Sequence, residues 1–320
     1  MKTSVAVCTY NGEKFLNQQL DSILNQTIPV DEIIVCDDRS SDSTAAILES
    51  YTVKHPGIFK IYINEQNIGS VKNFEKAVSL CNNEVIFFSD QDDIWVENKV
   101  ERILEAFNLY PDISVICTNG YGIDDQDKQL DVITVWDCPG FVKESKYQFD
   151  YFNILNLVDN FCTGATMAIK KEMQKEIIPF PIMDGFHHDR WIALVSALRN
   201  KLFFLDEKLI FYREHSLQQV GNVLYKNTAD KKESLTSYFS VEKEDKSFKD
   251  YKKLLKRFAS AYKKNMELMI ENPDNNCFFE NNLAEIKRRF MRLENEMKKK
   301  YPLKSVILKI ADQFQGKRKI

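Results

Sequence analysis

Four short polar clusters follow apolar, β-branched runs in the first third of the sequence, and their side chains are of kinds that bind nucleotides and metal ions. They are Thr9-Tyr10-Asn11-Gly12, Asp37-Asp38-Arg39-Ser40-Ser41, residues 64–69, and Asp90-Gln91-Asp92-Asp93. Any one of them is also explained by a polar turn at the end of a strand. Four in succession are expected to ring one pocket, provided that the strands end at the same edge of a sheet.

The acidic cluster at residues 90–93 is the most informative of the four. Residues two apart in extended backbone point to the same side, so Asp90 and Asp92 are expected to converge. Two neighbouring carboxylates repel each other unless a cation lies between them, and Mg²⁺ or Mn²⁺, completed by phosphate oxygens and water, suits such a site. The alternative is an acidic turn that caps a predicted helix at 97–110. Capping requires one Asp rather than three, which favours the metal.

The turn after the first predicted strand excludes several nucleotide-binding classes. Residues 9–14 contain one glycine and a large aromatic side chain, so the GxGxxG pattern of NAD and FAD proteins is missing. No GxxxxGK[ST] P-loop occurs in the sequence. A carboxylate at Asp37 or Asp38 can still accept hydrogen bonds from a ribose hydroxyl or a base N–H. The pattern that remains is a nucleotide held without a glycine-rich loop, beside a metal-binding acid pair.

The elements that must position these clusters follow from the hydropathy pattern. Apolar runs predict strands, and residues with helical spacing between them predict helices. This alternation predicts an α/β fold of the Rossmann-like type, with a mainly parallel sheet and helices on both faces. Parallel strands place their carboxyl ends at one edge, where ligands bind. The predicted strands are Ser4–Cys8, Glu32–Cys36, Phe59–Ile63, Val85–Ser89, Ile113–Thr118, Thr166–Ile169 and Leu202–Leu205, and later helices are predicted at Glu172–Ile177 and His188–Arg199.

Length, composition and charge set the domain organisation. The 320 residues are 44% hydrophobic and 28% charged, which predicts a packed core and excludes wholesale disorder. Residues 249–320 carry a net charge of +10 and residues 1–248 a net charge of −13, which argues against nucleic-acid binding by the N-terminal body. We predict a catalytic domain at 1–225, a polar linker at 226–247 and a basic helical C-terminal region at 248–320.

The C-terminal region and the cysteines bear on location. Leu303–Phe314 is amphipathic and flanked by lysine clusters. It is suited either to an anionic membrane surface or to packing within the helical region or a homodimer, and both readings are open. No apolar run is long enough to span a bilayer, and no secretory signal is expected at the N-terminus. Seven cysteines without a C-x-x-C pair are expected to be reduced thiols rather than zinc ligands, which predicts a cytoplasmic protein, with peripheral contact at the inner face of the membrane left open.

Several segments together resemble family 2 glycosyltransferases with the GT-A fold. The resemblance rests on SVAVCTYNG, on the stretch from QTIP to VCDDRSSDST, on NIGSVKNFEKAV and on FFSDQDDIW, and it spans residues 3–215. Within that family, the segments DQDDIW and FYREH are most similar to enzymes that transfer rhamnose or related sugars in bacterial polysaccharide assembly.

The resemblance implies roles for individual residues. Asp189 matches the general base of the family, while His188 stands where the family has an acid, which leaves the role of that position open. Trp95, Gly164 and His188 are expected on the acceptor side. The metal, Mn²⁺ or Mg²⁺, is expected on Asp90 and Asp92 of the DXD motif, with His215 as a third ligand or a hydrogen-bond donor to the diphosphate. The implied nucleotide-sugar site comprises Thr9, Tyr10, Asn11, Asp37, Asp38, Asn67, Gly69, Lys72, Asp90, Gln91 and Asp92.

The implied reaction is a single inverting displacement from a UDP- or dTDP-sugar to a saccharide or lipid-linked acceptor. The Q-x-x-R-W motif of processive relatives is absent, and Tyr212-Arg213-Glu214-His215 occupies that stretch, which favours a non-processive enzyme. A nucleotidyltransferase would need a glycine- and lysine-rich loop at residues 9–14. A catalytically idle nucleotide-sugar-binding homologue or assembly scaffold remains as the alternative, against which the retained acids weigh. Trp95 is open between packing beneath the acidic loop and stacking on the sugar.

Overall fold

The alternating apolar and amphipathic segments produce an α/β chain that divides into two units. In this computed structural model, unit 1 comprises Met1–Pro139 and Phe161–Glu233, and unit 2 comprises Gly140–Asn160 and Ser234–Ile320. The structure describes residues 1–145, 147–183, 185–216, 218, 223–243, 245–315 and 320.

The elements are numbered in chain order. The strands are β1 (Thr3–Thr9), β2 (Glu32–Asp37), β3 (Phe59–Ile63), β4 (Val85–Ser89), β5 (Ile94–Trp95), β6 (Val115–Ile123), β7 (Val132–Thr134), β8 (Tyr147–Gln148), β9 (Met167–Lys170), β10 (Leu202–Arg213), β11 (Leu224–Lys226) and β12 (Glu242–Lys243). The α-helices are α1 (Leu16–Leu24), α2 (Thr44–Lys54), α3 (Ser70–Leu80), α4 (Lys99–Leu109), α5 (Cys138–Lys143), α6 (Tyr151–Leu157), α7 (Gln174–Ile177), α8 (His188–Leu198), α9 (Ala229–Phe239), α10 (Phe248–Glu271), α11 (Asn276–Lys300) and α12 (Pro302–Gln315). Short 3-10 turns lie at Val135–Asp137, Gly164–Thr166, Lys171–Met173 and Pro273–Asn275.

Unit 1 is built on an eight-stranded sheet in the order β3-β2-β1-β4-β9-β6-β10-β5. Within it, β2 pairs in parallel with β1 and β3, β1 with β4, and β6 with β10, while β9 and β5 run antiparallel to their neighbours. This confirms the predicted mainly parallel sheet. Thr9 lies opposite Asp37, and Val7 lies opposite Ser89. The turns that follow β1, β2 and β4 therefore meet at one edge.

The core of unit 1 lies between this sheet and its helices. All residues of β1, β2 and β4 are buried, as expected for central strands covered on both faces. Leu16, Leu20 and Ile23 form the buried stripe of α1 that the helical spacing predicts. Each such fully buried aliphatic side chain contributes roughly 1.5–3 kcal/mol to the free energy of unfolding.

Unit 2 is mainly helical. Helix α10 begins with a capping box, in which Ser247 and Asp250 exchange side-chain and backbone hydrogen bonds. Helices α10 and α11 are separated by the 3-10 turn that starts at Pro273, whose ring cannot continue a helix interior. Among the helices that the structure describes, none combines the length and the apolar character needed to cross a membrane.

The contacts divide the chain at other positions than the sequence suggests. The segment Gly140–Asn160 groups with the C-terminal helices rather than with the predicted domain at 1–225. The stretch predicted as a linker, residues 226–247, contains α9 instead of extended chain, and the division falls between Glu233 and Ser234. Helix α9 was predicted as linker because a helix with few buried residues has a weak apolar pattern. Only Leu235 and Phe239 of α9 are buried, and most of its other residues are polar or charged.

Candidate active site

A cavity of about 480 Å³ lies in unit 1 at the carboxyl ends of β1, β2 and β4. The described residues that line it all belong to unit 1. Strand β1 contributes the turn that follows it, β4 the acidic loop, and α8 its first turn. The predicted site residues that line this cavity are Thr9, Tyr10, Asn11, Asp38, Asp90, Gln91, Asp92, Gly164, His188, Asp189 and His215.

The turn after β1 is fixed by side chains from the neighbouring loops. The Gln91 side chain accepts a hydrogen bond from Tyr10 N at 2.7 Å and donates one to Tyr10 O at 3.0 Å. Asn11 has a positive φ of 49° and accepts from Ser41 N at 2.8 Å. These bonds hold Tyr10 half-exposed at the rim of the cavity.

Asp38 is anchored by the loop that precedes α3. Its Oδ1 accepts hydrogen bonds from Asn64 Nδ2 and Ile68 N, both at 2.8 Å, and its Oδ2 accepts from Gly69 N at 2.9 Å. A carboxylate offers about four acceptor positions. Three of them are used within the protein, which leaves Oδ2 with capacity for one donor from the cavity.

Asp37, the residue before Asp38, does not line the cavity. Its Oδ1 accepts from Thr9 Oγ1 at 2.7 Å and Ser40 Oγ at 2.6 Å, and its Oδ2 accepts from Ser40 N at 2.9 Å. The side chain is 1% exposed. We expected Asp37 to bind the nucleotide. In the structure its carboxylate instead holds the ends of β1 and β2 together.

The loop residues Asn67, Gly69 and Lys72 also lie outside the cavity lining. Gly69 has a φ of +81° and donates its N–H to Asp38, while Asn67 Oδ1 accepts from the same N–H at 3.1 Å. Lys72 Nζ donates to Glu75 Oε2 at 2.8 Å and to Phe180 O at 3.2 Å. Asn67 and Gly69 therefore contribute to the site by supporting Asp38, whereas Lys72 forms hydrogen bonds with other parts of unit 1.

Trp95 lies beneath the acidic loop rather than on the acceptor side. It is 3% exposed, and its ring centroid is 5.6 Å from that of Phe87 in β4. Lys99 Nζ lies 4.1 Å from the Trp95 ring centroid and donates to Ala165 O at 2.7 Å. The packing of β5 against β10 places Trp95 in the core, so the prediction that it faces the acceptor is wrong.

The acidic loop after β4 stands apart from the helix that follows it. Strand β5 separates residues 90–93 from α4, whose N-cap is Asn98. The acids therefore do not cap α4, and that alternative explanation fails. Burial, the charge of Asp92 and the charge of Asp189 raise the pKa of Asp90 to about 7, while Lys99 opposes the shift.

Arg213, the last residue of β10, clamps the acidic loop and was not singled out by the sequence analysis. It is fully buried; its N donates to Asp93 Oδ1 at 3.1 Å and its Nε to Asp92 O at 2.8 Å. Its guanidinium also donates to Asp127 Oδ1 at 2.5 Å and lies 4.3 Å from the Phe15 ring centroid. An arginine directly after the apolar run Leu209–Tyr212 was the available signal, because a guanidinium buried at the end of such a run requires several acceptors.

Two residues further on, His215 meets the second acid of the loop. Its Nε2 lies 2.9 Å from Asp92 Oδ2, and its ring lies 4.9 Å from that of Phe15. The end of β10 carries the clamp on the loop backbone, and the residues that follow the strand supply a contact to a loop carboxylate. The predicted convergence of His215 with the acidic loop is present as a side-chain contact with Asp92.

Asp189 lies in the first turn of α8, on the cavity wall. Its carboxylate accepts hydrogen bonds from the backbone N–H groups of Arg190, at 2.5 Å to Oδ1, and of Gly164. Burial raises the pKa of Asp189 to about 6, although these two bonds and the charges of His187 and Arg190 oppose the shift. A carboxylate with a pKa near neutrality is suited to general-base chemistry.

His188 is enclosed by aromatic rings. Its ring centroid lies 4.0 Å from that of Phe74, 5.7 Å from that of Phe88 and 6.4 Å from that of Phe180. Burial and the charge of His187 lower the pKa of His188 to about 3, so the imidazole is neutral at ordinary pH. Among the described residues, neither ring nitrogen has a hydrogen-bond partner, although the side chain lines the cavity.

A divalent cation at this cavity would have to be held by its acidic side chains. Among the described residues, no group of three or more His, Cys, Asp or Glu side chains is arranged to hold an ion. Asp90 and Asp92 supply two carboxylates. Burial first, and then the charges of Asp92 and Asp189, raise the pKa of Asp90, and a bound cation would favour its charged form. This donor set suits a hard cation only when further oxygen ligands come from a bound diphosphate and water.

The structure is that of an α/β protein with a cavity, lined by several acids, at the carboxyl edge of its sheet, which is the edge where such folds bind ligands. Residues 4–178 match Glycosyl transferase family 2. The dTDP-rhamnosyl transferase RfbG of Shigella flexneri is 31% identical over 234 residues, which span 69% of this chain and 75% of RfbG. The chondroitin synthase of Escherichia coli is 27% identical over 232 residues, and this match covers 70% of this chain and 34% of the synthase.

Solved structures agree on the fold. The crystal structure of S. aureus TarS 1-349 in complex with UDP-GlcNAc has a TM-score of 0.54 at 20% identity, and the match covers 92% of this chain and 83% of TarS. The complex of the same TarS fragment with UDP has a TM-score of 0.53 at 18% identity over 82% of this chain and 72% of that one. The chain belongs to glycosyl transferase family 2 and is a glycosyltransferase with the predicted GT-A fold.

Proposed function

We propose that this glycosyltransferase is an inverting, metal-dependent and non-processive enzyme of bacterial surface polysaccharide synthesis. It moves one sugar from a nucleoside-diphosphate donor to a hydroxyl of a saccharide or lipid-linked acceptor. The observation that carries the proposal is the shared cavity of Asp38, Asp90, Asp92 and Asp189, which come from three separate parts of the chain: the turn after β2, the acidic loop after β4 and the first turn of α8. For the donor we propose dTDP-rhamnose, on the likeness to a dTDP-rhamnosyl transferase.

The donor nucleotide lies between the turn after β1 and Asp38. Tyr10 is exposed enough to meet a base, and Asp38 Oδ2 has an acceptor position left for a base N–H or a ribose hydroxyl. Thr9 and Asn11 complete this side of the cavity. The diphosphate then points toward the acidic loop.

Asp90 and Asp92 are the residues that hold Mn²⁺ or Mg²⁺ in this proposal. The cation supplies neutralisation of the charge that develops on the leaving diphosphate. Arg213 fixes the backbone of Asp92, and the His215 imidazole contacts the carboxylate of Asp92. His215 therefore acts by orienting Asp92 or as a ligand beside it.

Asp189 removes the proton from the acceptor hydroxyl. As that O–H bond breaks, the oxygen forms a bond to the anomeric carbon, and the bond from that carbon to the diphosphate oxygen breaks on the opposite face. The configuration at the anomeric carbon is inverted, and the nucleoside diphosphate leaves with the bonding electron pair. Gly164 and His188, which line the cavity beside Asp189, face the acceptor.

The burial of cysteines outside disulfides supports a cytoplasmic location. Six of the seven cysteines are buried, and none of the seven is in a disulfide. Such thiols persist where the environment is reducing.

The proposal is tested by Asp189→Asn, with the exposed Asp112→Asn as the matched control in unit 1. Loss of the general base is expected to lower kcat by about 10²–10⁴-fold, while thermal stabilisation by dTDP-rhamnose with Mn²⁺ is retained. Transfer is measured as dTDP release that depends on the acceptor, with UDP-GlcNAc and GDP-mannose as alternative donors. Full activity in Asp189→Asn would overturn the assignment of the base, and a wild-type protein that binds donors but transfers none would favour the idle homologue.

A further inference from the structure

One face of the first part of α12 is apolar and exposed, whereas the opposite face is buried. Leu303, Val306 and Ile307 are 81%, 59% and 68% exposed. Ser305 and Leu308, on the opposite side, are 5% and 9% exposed. The three apolar residues are spaced i, i+3 and i+4, so they form one continuous stripe at about 100° per residue. We call Leu303, Val306 and Ile307 the outer stripe.

Lysines flank the outer stripe on both sides. On the same helical geometry, Lys304 and Lys309 each lie about 110° from the centre of the stripe, in opposite directions. Both are exposed, as is Lys299 near the end of α11. Residues 298–309 contain five lysines and no acid. Lys298 and Lys300 pair with Glu294 and Asp245, whereas among the described residues no carboxylate lies within ion-pair distance of the other three lysines.

An exposed apolar stripe with a lysine on each side is the pattern of a helix that lies in the plane of a lipid surface. The apolar side chains enter the boundary between headgroups and acyl chains, and the flanking lysines extend upward to the phosphates. Each lysine near an anionic surface strengthens binding about fivefold. We propose that α12 binds the surface of an anionic phospholipid bilayer through the outer stripe and Lys299, Lys304 and Lys309.

Charge decides between a lipid surface and a second copy of this chain. In a symmetric dimer formed through the outer stripe, the same lysines of two copies would approach each other, and like charges that meet at an interface disfavour association. Three side chains also cover far less than the roughly 800 Å² per partner of a stable interface. An anionic bilayer avoids both difficulties. Its negative charge complements the lysines, and its surface is continuous, so binding does not depend on a contact area of fixed size.

The experiment uses the full chain and vesicles in a flotation assay. Vesicles of phosphatidylcholine mixed with phosphatidylglycerol are compared with vesicles of phosphatidylcholine alone. The wild type is expected to float with the anionic vesicles and not with the neutral ones, and added salt is expected to weaken the binding. Leu303→Asn with Ile307→Asn is expected to lower the partition coefficient by about tenfold or more. The matched control is Ile270→Asn, which removes a side chain that is 76% exposed on α10 and should leave binding unchanged.

A charge variant tests the second half of the proposal. Lys304→Glu with Lys309→Glu is expected to abolish binding to anionic vesicles, whereas Lys263→Glu, at an exposed position of α10, is expected to have a small effect. Because all these side chains are exposed, the variants should keep the wild-type circular dichroism spectrum and melting temperature. Equal binding by wild type and both double variants, or equal binding to neutral and anionic vesicles, would overturn the proposal.

The proposal does not rest on the proposed transfer reaction, and the two fail separately. Transfer to a soluble acceptor is measured on the same variants and is expected to be unchanged. If Leu303→Asn with Ile307→Asn dissociates a dimer in sedimentation analysis but does not alter vesicle binding, the outer stripe is an interface between copies and the lipid assignment is wrong.

Discussion

Asp189 combines two features that compete with each other. Its carboxylate lies on the wall of a cavity, where burial disfavours the charged form. Hydrogen bonds from two backbone N–H groups partly stabilise that form. The net result is a pKa of about 6, well above that of an ordinary aspartate. The group is therefore largely ionised at pH 7 and still basic enough to accept a proton.

The pH dependence of transfer follows from that value. The reactive form of Asp189 is the carboxylate, so kcat/KM is expected to be constant above about pH 7 and to fall about tenfold per pH unit well below 6. The measurement is the pH profile of kcat/KM at saturating Mn²⁺, with the donor stabilisation followed at each pH. A profile that stays flat down to about pH 5, while donor binding persists, would show that another group accepts the proton.

Gly164 and His188 are coupled by close packing. A Cβ at position 164 would lie 2.5 Å from His188 Nε2 and 3.3 Å from His188 Cε1. The imidazole has little freedom to retreat, because Phe74 stacks against it at 4.0 Å between ring centroids. The backbone N–H of Gly164 also donates to Asp189, so a shift there reaches the proposed base.

We expect Gly164→Ala to lower the free energy of unfolding by about 1–3 kcal/mol, as overpacking of a closed core does, and to lower kcat. His188→Ala opens space for the methyl group, so the double variant should lose less stability than the sum of the two single variants. The stabilities are compared by urea denaturation in a double-mutant cycle. Strict additivity would mean that the two side chains do not meet.

At the level of elements, strand β10 organises the acidic loop from a distance along the chain. Arg213, the last residue of β10, holds the backbone of Asp92. His215, two residues beyond the strand and 123 positions from Asp92 along the chain, contacts the carboxylate of Asp92. Strand β5, which follows the loop, pairs antiparallel with β10. The acidic loop thus begins where β4 ends, and hydrogen bonds from Arg213 at the end of β10 hold it in place.

Arg213→Lys tests this clamp. A lysine keeps the charge but cannot reproduce the fork of N–H groups that contacts Asp92 O, Asp127 and Gln18. We expect a loss of about 2 kcal/mol in the free energy of unfolding, together with weaker Mn²⁺-dependent donor binding. Urea denaturation and thermal shift with donor give the two readouts.

Arg102→Lys is the control for that variant. Arg102 is half-exposed and pairs with Glu207, and surface pairs of this kind contribute up to about 1 kcal/mol. Its substitution should change stability little and donor binding not at all. Equal losses in both variants would mean that Arg213 serves general stability rather than the loop.

For the molecule as a whole, the cavity and the basic helices belong to different units. The described residues that line the cavity are all in unit 1, whereas the net positive charge of residues 249–320 is in unit 2. If both proposals hold, donor recognition and surface attachment are carried out by separate parts of the chain.

Hydrogen exchange should reveal this division. With dTDP-rhamnose and Mn²⁺ at about 100 times the dissociation constant, protection of up to about 100-fold is expected where ligand closes off local opening. It should fall on residues 8–15, 90–92, 163–165 and 187–189, with no change in α10, α11 or α12. Equal protection of α11 would show that the donor stabilises both units together. dTDP without the sugar is the control for contacts made by the nucleotide alone.

Local patterns in the sequence were sufficient for the fold class and for half of the site. Period-two and continuous apolar runs define β1 to β4, and a parallel arrangement follows from the helices between them. Since parallel strands end at one edge, the turns after β1, β2 and β4 had to meet, and Tyr10, Asp38 and Asp92 do line one cavity. The role proposed for Asp189 came from the resemblance, because nothing in its local pattern separates it from an ordinary helix-start aspartate.

Only the tertiary structure decided which of two adjacent residues faces the cavity and which supports it. Asp37 turns to Thr9 and Ser40, while Asp38 lines the cavity; Trp95 sinks under the loop because β5 pairs with β10. The clamp of Arg213 and the aromatic enclosure of His188 arise from contacts between residues far apart in the chain. Side-chain period and turn chemistry act over a few residues, whereas such contacts are set by how whole strands and helices pack, and that information is not local to any segment.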